Sequence, residues 1–327
     1  KKGRLSLMTA TKFSSKNRYI VYVILTNISL QTSALTKNIF LSIGIINNLF
    51  ILGFLILIYD ILKHAGVSRL NCLVTLSLFF APYTMGQLGY VPMLFTGTAS
   101  YAMKVMITLL LIDLVIRAED GKKIRQSIIP LVLLFLFAAI SGISSGVYMF
   151  ACGVVPVAAY LVLNALCRNQ LKCLLSGKTI YVGAATAAFA VGMVISKKLQ
   201  FSNSAASMSM IPAGKFGTNI MKCFGGIFEL FGAVDGSESP AVMSVQGIVA
   251  LFSVLFTLFL LFVIVYYAVK VVKKQEQRPL VCVLLCVFYI NQLVLLVTDT
   301  NYASDSFEFR YHIVSMVPVM LLTGVFM

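Results

Sequence analysis

Five ionisable side chains fall within fourteen positions near the end of this 327-residue sequence: Asp299, Asp305, Glu308, Arg310 and His312. Only 11% of the chain is charged, and the flanks are hydrocarbon, Leu293 to Val297 before the cluster and Ile313 to Met327 after it. Ionisable groups at the edge of an apolar run are costly to desolvate, so they are solvated, paired or functional. The chemistry on offer is anion recognition. Arg310 carries a planar guanidinium that can hold a phosphate or carboxylate through two parallel hydrogen bonds. Tyr311 supplies an amphipathic ring suited to the headgroup level of a membrane. Glu308 shares a side with Arg310 only in an extended segment, because residues two apart on a helix do not face each other. His312 could carry a proton, although a lone interfacial histidine is more often just solvated. A hairpin of snorkelling charges would account for the cluster without any site.

The elements that must position these residues are apolar. Hydrophobic residues make up 59% of the chain, too many for a water-soluble domain of this length. Runs approaching the roughly 20 residues needed to cross about 30 Å of hydrocarbon recur along it, which predicts an all-α, polytopic helical membrane protein. About nine transmembrane spans are expected, at 39–62, 72–90, 102–116, 128–143, 149–166, 179–196, 242–269, 279–297 and from 312 onward. The whole of 1–327 reads as one transmembrane domain: six spans over 39–196, a long outer loop over 197–241, and three spans over 242–327, the last cut short. The chain opens on Lys1-Lys2-Gly3 without an initiator methionine and stops inside an apolar run. That is the pattern expected of a piece of a longer protein.

Basic residues set the expected orientation. Loops 63–71, 117–127, 167–178 and 270–278 hold thirteen Lys and Arg, whereas 91–101 and 144–148 hold none. The first set is therefore expected in the cytoplasm, and the alternation stays in phase along the chain. The net charge of +15 follows from these loops, and no basic-aromatic module for nucleic acid is present. Within the outer loop, Phe216, Ile220, Cys223, Phe224, Ile227, Leu230 and Phe231 recur at helical spacing, which predicts an amphipathic helix on the outer membrane face. Residues 1–38 read as part of an outer loop with a juxtamembrane helix, their Lys and Arg suited to anionic lipid phosphate.

Other chemistry is sparse. Asp60 lies three residues before Lys63 and Asp113 four before Arg117, both at salt-bridge spacing on a helix, and both are expected to be structural. The seven cysteines have no CxxC spacing, and no metal or cofactor is expected. Gly142 and Gly146 form a GxxxG that falls at an expected turn rather than at a helix contact. Walker, GxSxG, HExxH and dinucleotide fingerprints are absent from the sequence.

Three stretches carry a resemblance: Tyr59 to Ser68, Ser141 to Pro156, and Glu308-Phe309-Arg310-Tyr311 through Pro318. Together with the long 197–241 loop, they resemble the GT-C superfamily of integral membrane glycosyltransferases, of the protein O-mannosyltransferase and aminoarabinose-transferase type. The resemblance implies sugar transfer from a polyprenyl-phosphate donor to an acceptor at the outer leaflet of a bacterial plasma membrane. It implies that Arg310 binds the donor phosphate and that Tyr311 shapes the pocket. Glu308, Asp305, His312, Lys197 and Lys198 are expected at its rim. A catalytic Asp or Glu is expected in the first external loop, yet residues 1–59 contain neither, which places that acid before Lys1. Three other readings stay open: a transporter or flippase of lipid-linked substrates, a polymerase or ligase of lipid-linked glycans, and a non-catalytic membrane scaffold. The first predicts broken helices with polar groups at mid-membrane depth.

Overall fold

The computed structural model describes residues 39–81, 100–119, 128–144, 150–167, 177–198, 210–233, 241, 243–298 and 309–327. These residues build ten α-helices: α1 (Ile39–His64), α2 (Arg69–Phe80), α3 (Ser100–Glu119), α4 (Ile128–Ser144), α5 (Val155–Cys167), α6 (Gly177–Lys198), α7 (Phe216–Leu230), α8 (Val245–Val272), α9 (Pro279–Val297) and α10 (Ile313–Phe326). A π-helical turn, Phe150–Val154, runs into α5. Short 3₁₀ turns, Ala213–Lys215 and Phe309–His312, lead into α7 and α10. The only bridge between extended segments among the described residues pairs Met210 with Thr298.

Nine of these helices lie on the nine expected segments. Among the described residues, four stretches have the length and apolarity to cross a membrane by themselves: Phe150–Cys167, Gly177–Lys198, Val245–Val272 and Pro279–Val297. Helices α2, α4 and α10 are apolar but shorter. The α2 segment stops at Phe80 because Ala81 is extended ahead of Pro82, a residue that disfavours helix before it. The expected juxtamembrane helix in 1–38 and the acidic residues Asp235, Glu238 and Asp299 lie outside the described residues.

Large apolar side chains are exposed along the long helices. On α8 the buried face presents Gly247, Ser253 and Thr257 alongside larger residues, while Leu251, Phe252, Leu255, Leu258, Phe262 and Val265 are exposed. Thr257 satisfies its hydroxyl by donating to the Ser253 carbonyl at 2.8 Å. Small and hydroxyl residues at the inner positions of α8 let helices approach closely, and large hydrocarbon lies both inside, at Leu260, Val263, Ile264 and Tyr267, and outside.

Helix α10 sits at the centre. Every residue from Ile313 to Thr323, and Gly324 after it, is buried, and α10 packs on α9, α8, α2, α3 and α1. A helix apolar all round is one buried all round. Gly324 lets α2 approach: a Cβ there would overlap the Thr75 hydroxyl.

Close approach also joins α4 to α6. A Cβ on Gly142 would collide with the Phe189 carbonyl oxygen, and one on Gly192 with the Ala139 carbonyl oxygen. Gly142 is thus a helix-contact residue and not part of a turn; its partner is Gly192, and Gly146 lies outside the described residues. The expected ion pairs are also revised. Arg117 Nε does donate to Asp113 Oδ2 at 2.8 Å. Asp60, however, pairs with Arg117 across the α1–α3 contact and with His64, while Lys63 is exposed. The α1 end turns through Gly66 at φ +76°, where the Val67 N–H reaches back to the Leu62 carbonyl at 3.1 Å.

The α4–α6 contact makes a direct prediction. Gly192→Ala should destabilise the protein in detergent by about 1–3 kcal/mol, the usual cost of overpacking. Gly183→Ala, on the same helix with nothing within 4 Å of the added carbon, should be neutral or mildly stabilising. Thermal melts of the two variants check this, and equal shifts would refute the close contact.

Candidate functional site: the turn ahead of the last helix

The described part of the charged stretch begins at the 3₁₀ turn Phe309–His312, which packs against α7 and α10. Its surroundings follow from the end of α9. The last four carbonyls of a helix have no partner within it and must find one elsewhere. Here all four are capped. Val294 O accepts from the Thr298 hydroxyl at 2.6 Å, and Val297 O from the Ile211 N–H at 3.0 Å. The Asn219 amide nitrogen donates to Leu295 O at 3.1 Å and Leu296 O at 2.9 Å. Residues 210–219 thereby tie the segment that carries α7 onto the end of α9.

Helix α7 has the expected position in the chain, and part of its expected apolar stripe turns to the bundle. Asn219, Cys223, Gly226, Ile227 and Leu230 face the bundle. Met221 and Phe224 are exposed on a second side, with Thr218, Lys222 and Glu229 along a third, and Phe216 is exposed in the first turn. At 100° per residue these three stripes divide the helix surface into protein-facing, apolar and polar thirds. An interfacial helix leaning on a bundle needs that division.

Beneath α7 lies a closed polar ring. Gln292 Nε2 lies 3.2 Å from His312 Nδ1, His312 Nε2 lies 3.8 Å from Cys223 Sγ, and Cys223 Sγ lies 3.5 Å from Gln292 Oε1. One proton arrangement satisfies the ring: the glutamine amide donates to Nδ1, the imidazole donates from Nε2 towards sulfur, and the thiol donates to Oε1. His312 is then neutral. It is fully buried, and burial pulls it down to about 4, a hydrogen bond to the Cys223 backbone opposing the shift. Burial pushes the Cys223 thiol up to about 12. A thiol at 3% exposure that stays protonated is no nucleophile, so this pair locks the turn and does not perform thiol chemistry. His312 is correspondingly not the solvated interfacial histidine expected from the sequence.

The other expected site residues distribute as follows. Tyr311 is half-buried and packs on Cys223 and Leu295 together with Leu296. Arg310 is carried by the same turn, one residue from Tyr311 and two from the buried His312; its side chain, and Asp305 and Glu308 entirely, lie outside the described residues. Lys197 and Lys198 are exposed in the last turn of α6, which packs on α4, α3, α5 and the π-helical turn, elements other than those around Phe309–His312. Sequence reasoning missed Asn219, Cys223 and Gln292. The available signal was polarity on an apolar stripe: Asn219 and Cys223 are one turn apart, and Gln292 interrupts a hydrocarbon run.

No protein-family model, no curated protein and no solved structure matches this chain. The fold class defined by the described residues is an all-α bundle with four helices long and apolar enough to cross a membrane.

The ring predicts an acid-sensitive stability. Between about pH 6.5 and about 4 the unfolded imidazole binds a proton that the folded one does not. Stability from neutral His312 is therefore full above about 6.5 and is lost as pH falls towards 4. Melts in detergent over this window should fall more steeply for the wild type than for His312→Gln. Parallel slopes would contradict a buried neutral imidazole.

Proposed function

We propose that this protein is a membrane-embedded transferase that moves a sugar from a polyprenyl-phosphate carrier to an acceptor, with Arg310 holding the donor phosphate. The observation that carries this reading is the construction of the Arg310 turn. It is bounded by a fully buried histidine on one side, covered by α7, and placed at the end of α9 opposite the basic 270–278 loop. An arginine on such a turn would sit at the headgroup level beside an interfacial helix. A polyprenyl carrier presents its phosphate at that level while its chain stays in lipid. A planar guanidinium matches that phosphate bidentately, and stabilising it as a leaving group lowers the barrier to transfer.

In this reading the nine helices on the expected segments are nine crossings, the basic loops are cytoplasmic, and the turn faces the outer leaflet of a bacterial plasma membrane. Tyr311 packs the wall of the pocket. Glu308, Asp305, Lys197 and Lys198 are rim residues, and His312 supports the turn from below. The acceptor hydroxyl needs a carboxylate to take its proton. Residues 1–59 do not provide one, so the reading assigns it outside the given sequence.

A second reading, transport or flipping of a lipid-linked substrate, is favoured by one observation. Among the described residues, Asn291 is buried inside α9 with neither amide atom hydrogen-bonded, and the Ser315 hydroxyl of α10 is likewise without a partner. Unpartnered polar groups at such depth are a transporter feature.

The test is transfer from a polyprenyl-phosphate sugar in proteoliposomes of the full-length protein. Arg310→Ala should lower turnover about 10²–10³-fold, the usual loss of an oxyanion-stabilising donor. Lys63→Ala, exposed near the opposite end, should leave it unchanged. Wild-type transfer by Arg310→Ala would overturn the assignment. Movement of the lipid across the bilayer without transfer would establish the second reading.

A further inference from the structure

We propose that Asp60, His64 and Asp113 form a binding site for a divalent cation of the Mn²⁺ and Zn²⁺ class, at the end of the bundle where α1 and α3 meet the basic loops. Asp60 and His64 are one turn apart on α1, and Asp113 faces them from α3. One donor atom from each lies within 4.8 Å of the others, close enough for a single ion to reach all three.

The orientation of the carboxylates is what distinguishes this cluster from a plain ion pair. Arg117 grips the same-numbered oxygen of each: its Nε donates to Asp113 Oδ2 and its terminal nitrogen to Asp60 Oδ2. That leaves the two Oδ1 atoms. Asp60 Oδ1 lies 3.5 Å from His64 Nδ1. Asp113 Oδ1 is buried without a hydrogen-bond partner among the described residues, on a side chain only 1% exposed. An ionised carboxylate oxygen left bare in the interior is more destabilising than a neutral orphan. Two carboxylates against one guanidinium also leave a net charge of −1 when the imidazole is neutral. The charge and the bare oxygen both call for a cation.

The donor set selects its class. Two carboxylate oxygens and one imidazole nitrogen suit borderline divalent ions better than calcium, which takes oxygen alone, or copper(I), which prefers sulfur. Arg117 holds both carboxylates through their Oδ2 atoms, and the His64 ring is fixed by its Nδ1 contact with the Asp60 backbone carbonyl at 2.8 Å. Outer groups of this kind orient metal ligands. The bound ion would pin α1 to α3, independently of any transfer reaction at the other end. A proton on Asp113 would resolve the same charge without a metal, and the experiment separates the two.

The full chain, purified in detergent and stripped with chelator, is titrated with MnCl₂ while free Mn²⁺ is followed by electron paramagnetic resonance. Manganese is chosen because thiols such as the exposed Cys167 compete poorly for it. One ion per chain is expected, with affinity reduced about tenfold or more by His64→Gln and lost in Asp113→Asn. Lys63→Ala should bind as the wild type does, and Mn²⁺ should raise the melting temperature of the wild type but not of His64→Gln. If Asp113→Asn does not fold, His64→Gln decides, because it keeps both arginine–carboxylate contacts. Absence of saturable binding, or undiminished binding by His64→Gln, would overturn the site and leave the protonated carboxyl as the explanation.

Discussion

A central helix with no face for lipid or water sets the plan of this molecule. Helix α10 is buried along its length, so its neighbours must be shaped to admit it. Thr75 and Gly324 meet where α2 crosses it, and Phe259, Phe262 and Tyr266 of α8 set their rings edge-on or nearly so against Phe326 at its far end. Edge-to-face pairs of this kind favour one arrangement over sliding contacts. The helix therefore cannot shift without disturbing several others.

The same burial dictates what happens where α10 begins. A chain entering the core must bring its backbone polar groups with it, and the Phe309–His312 turn does so beside the open carbonyl end of α9. Both problems are met by one segment of the chain. Residues 210–219 cap the α9 carbonyls, and α7 covers His312 while supplying the sulfur that closes the ring. A connecting segment thus becomes structural, and Arg310 is placed on a turn held from below rather than on a free strand. Under the proposed function that placement is what lets an arginine meet a phosphate without first ordering its own backbone.

Much of the helical plan could be read from the sequence, because hydrocarbon runs of the right length are a strong and local signal. What escaped was relational. Gly142 looks like a turn residue until Gly192, fifty positions later, is seen against it. Asp60 has Lys63 at helical spacing, but the partner it takes is Arg117 on another helix, which local spacing does not reveal. The apolar stripe of α7 could be read from spacing, but not that Cys223, Ile227 and Leu230 of it would turn to the bundle together with Asn219 and Gly226 while Phe224 stays exposed. Length was a further trap: α2, α4 and α10 are apolar but short, so crossing does not follow from their composition alone.

Helix α7 is docked on the start of α10 as one structural unit, and amide hydrogen exchange across the full chain reads that docking. The inner amides of Phe216–Leu230, Asn219 and Cys223 among them, should be protected to a degree approaching that of Ile313–Phe326. Exchange of the whole of Phe216–Leu230 at the rate of an unprotected peptide, while α10 remains protected, would contradict it.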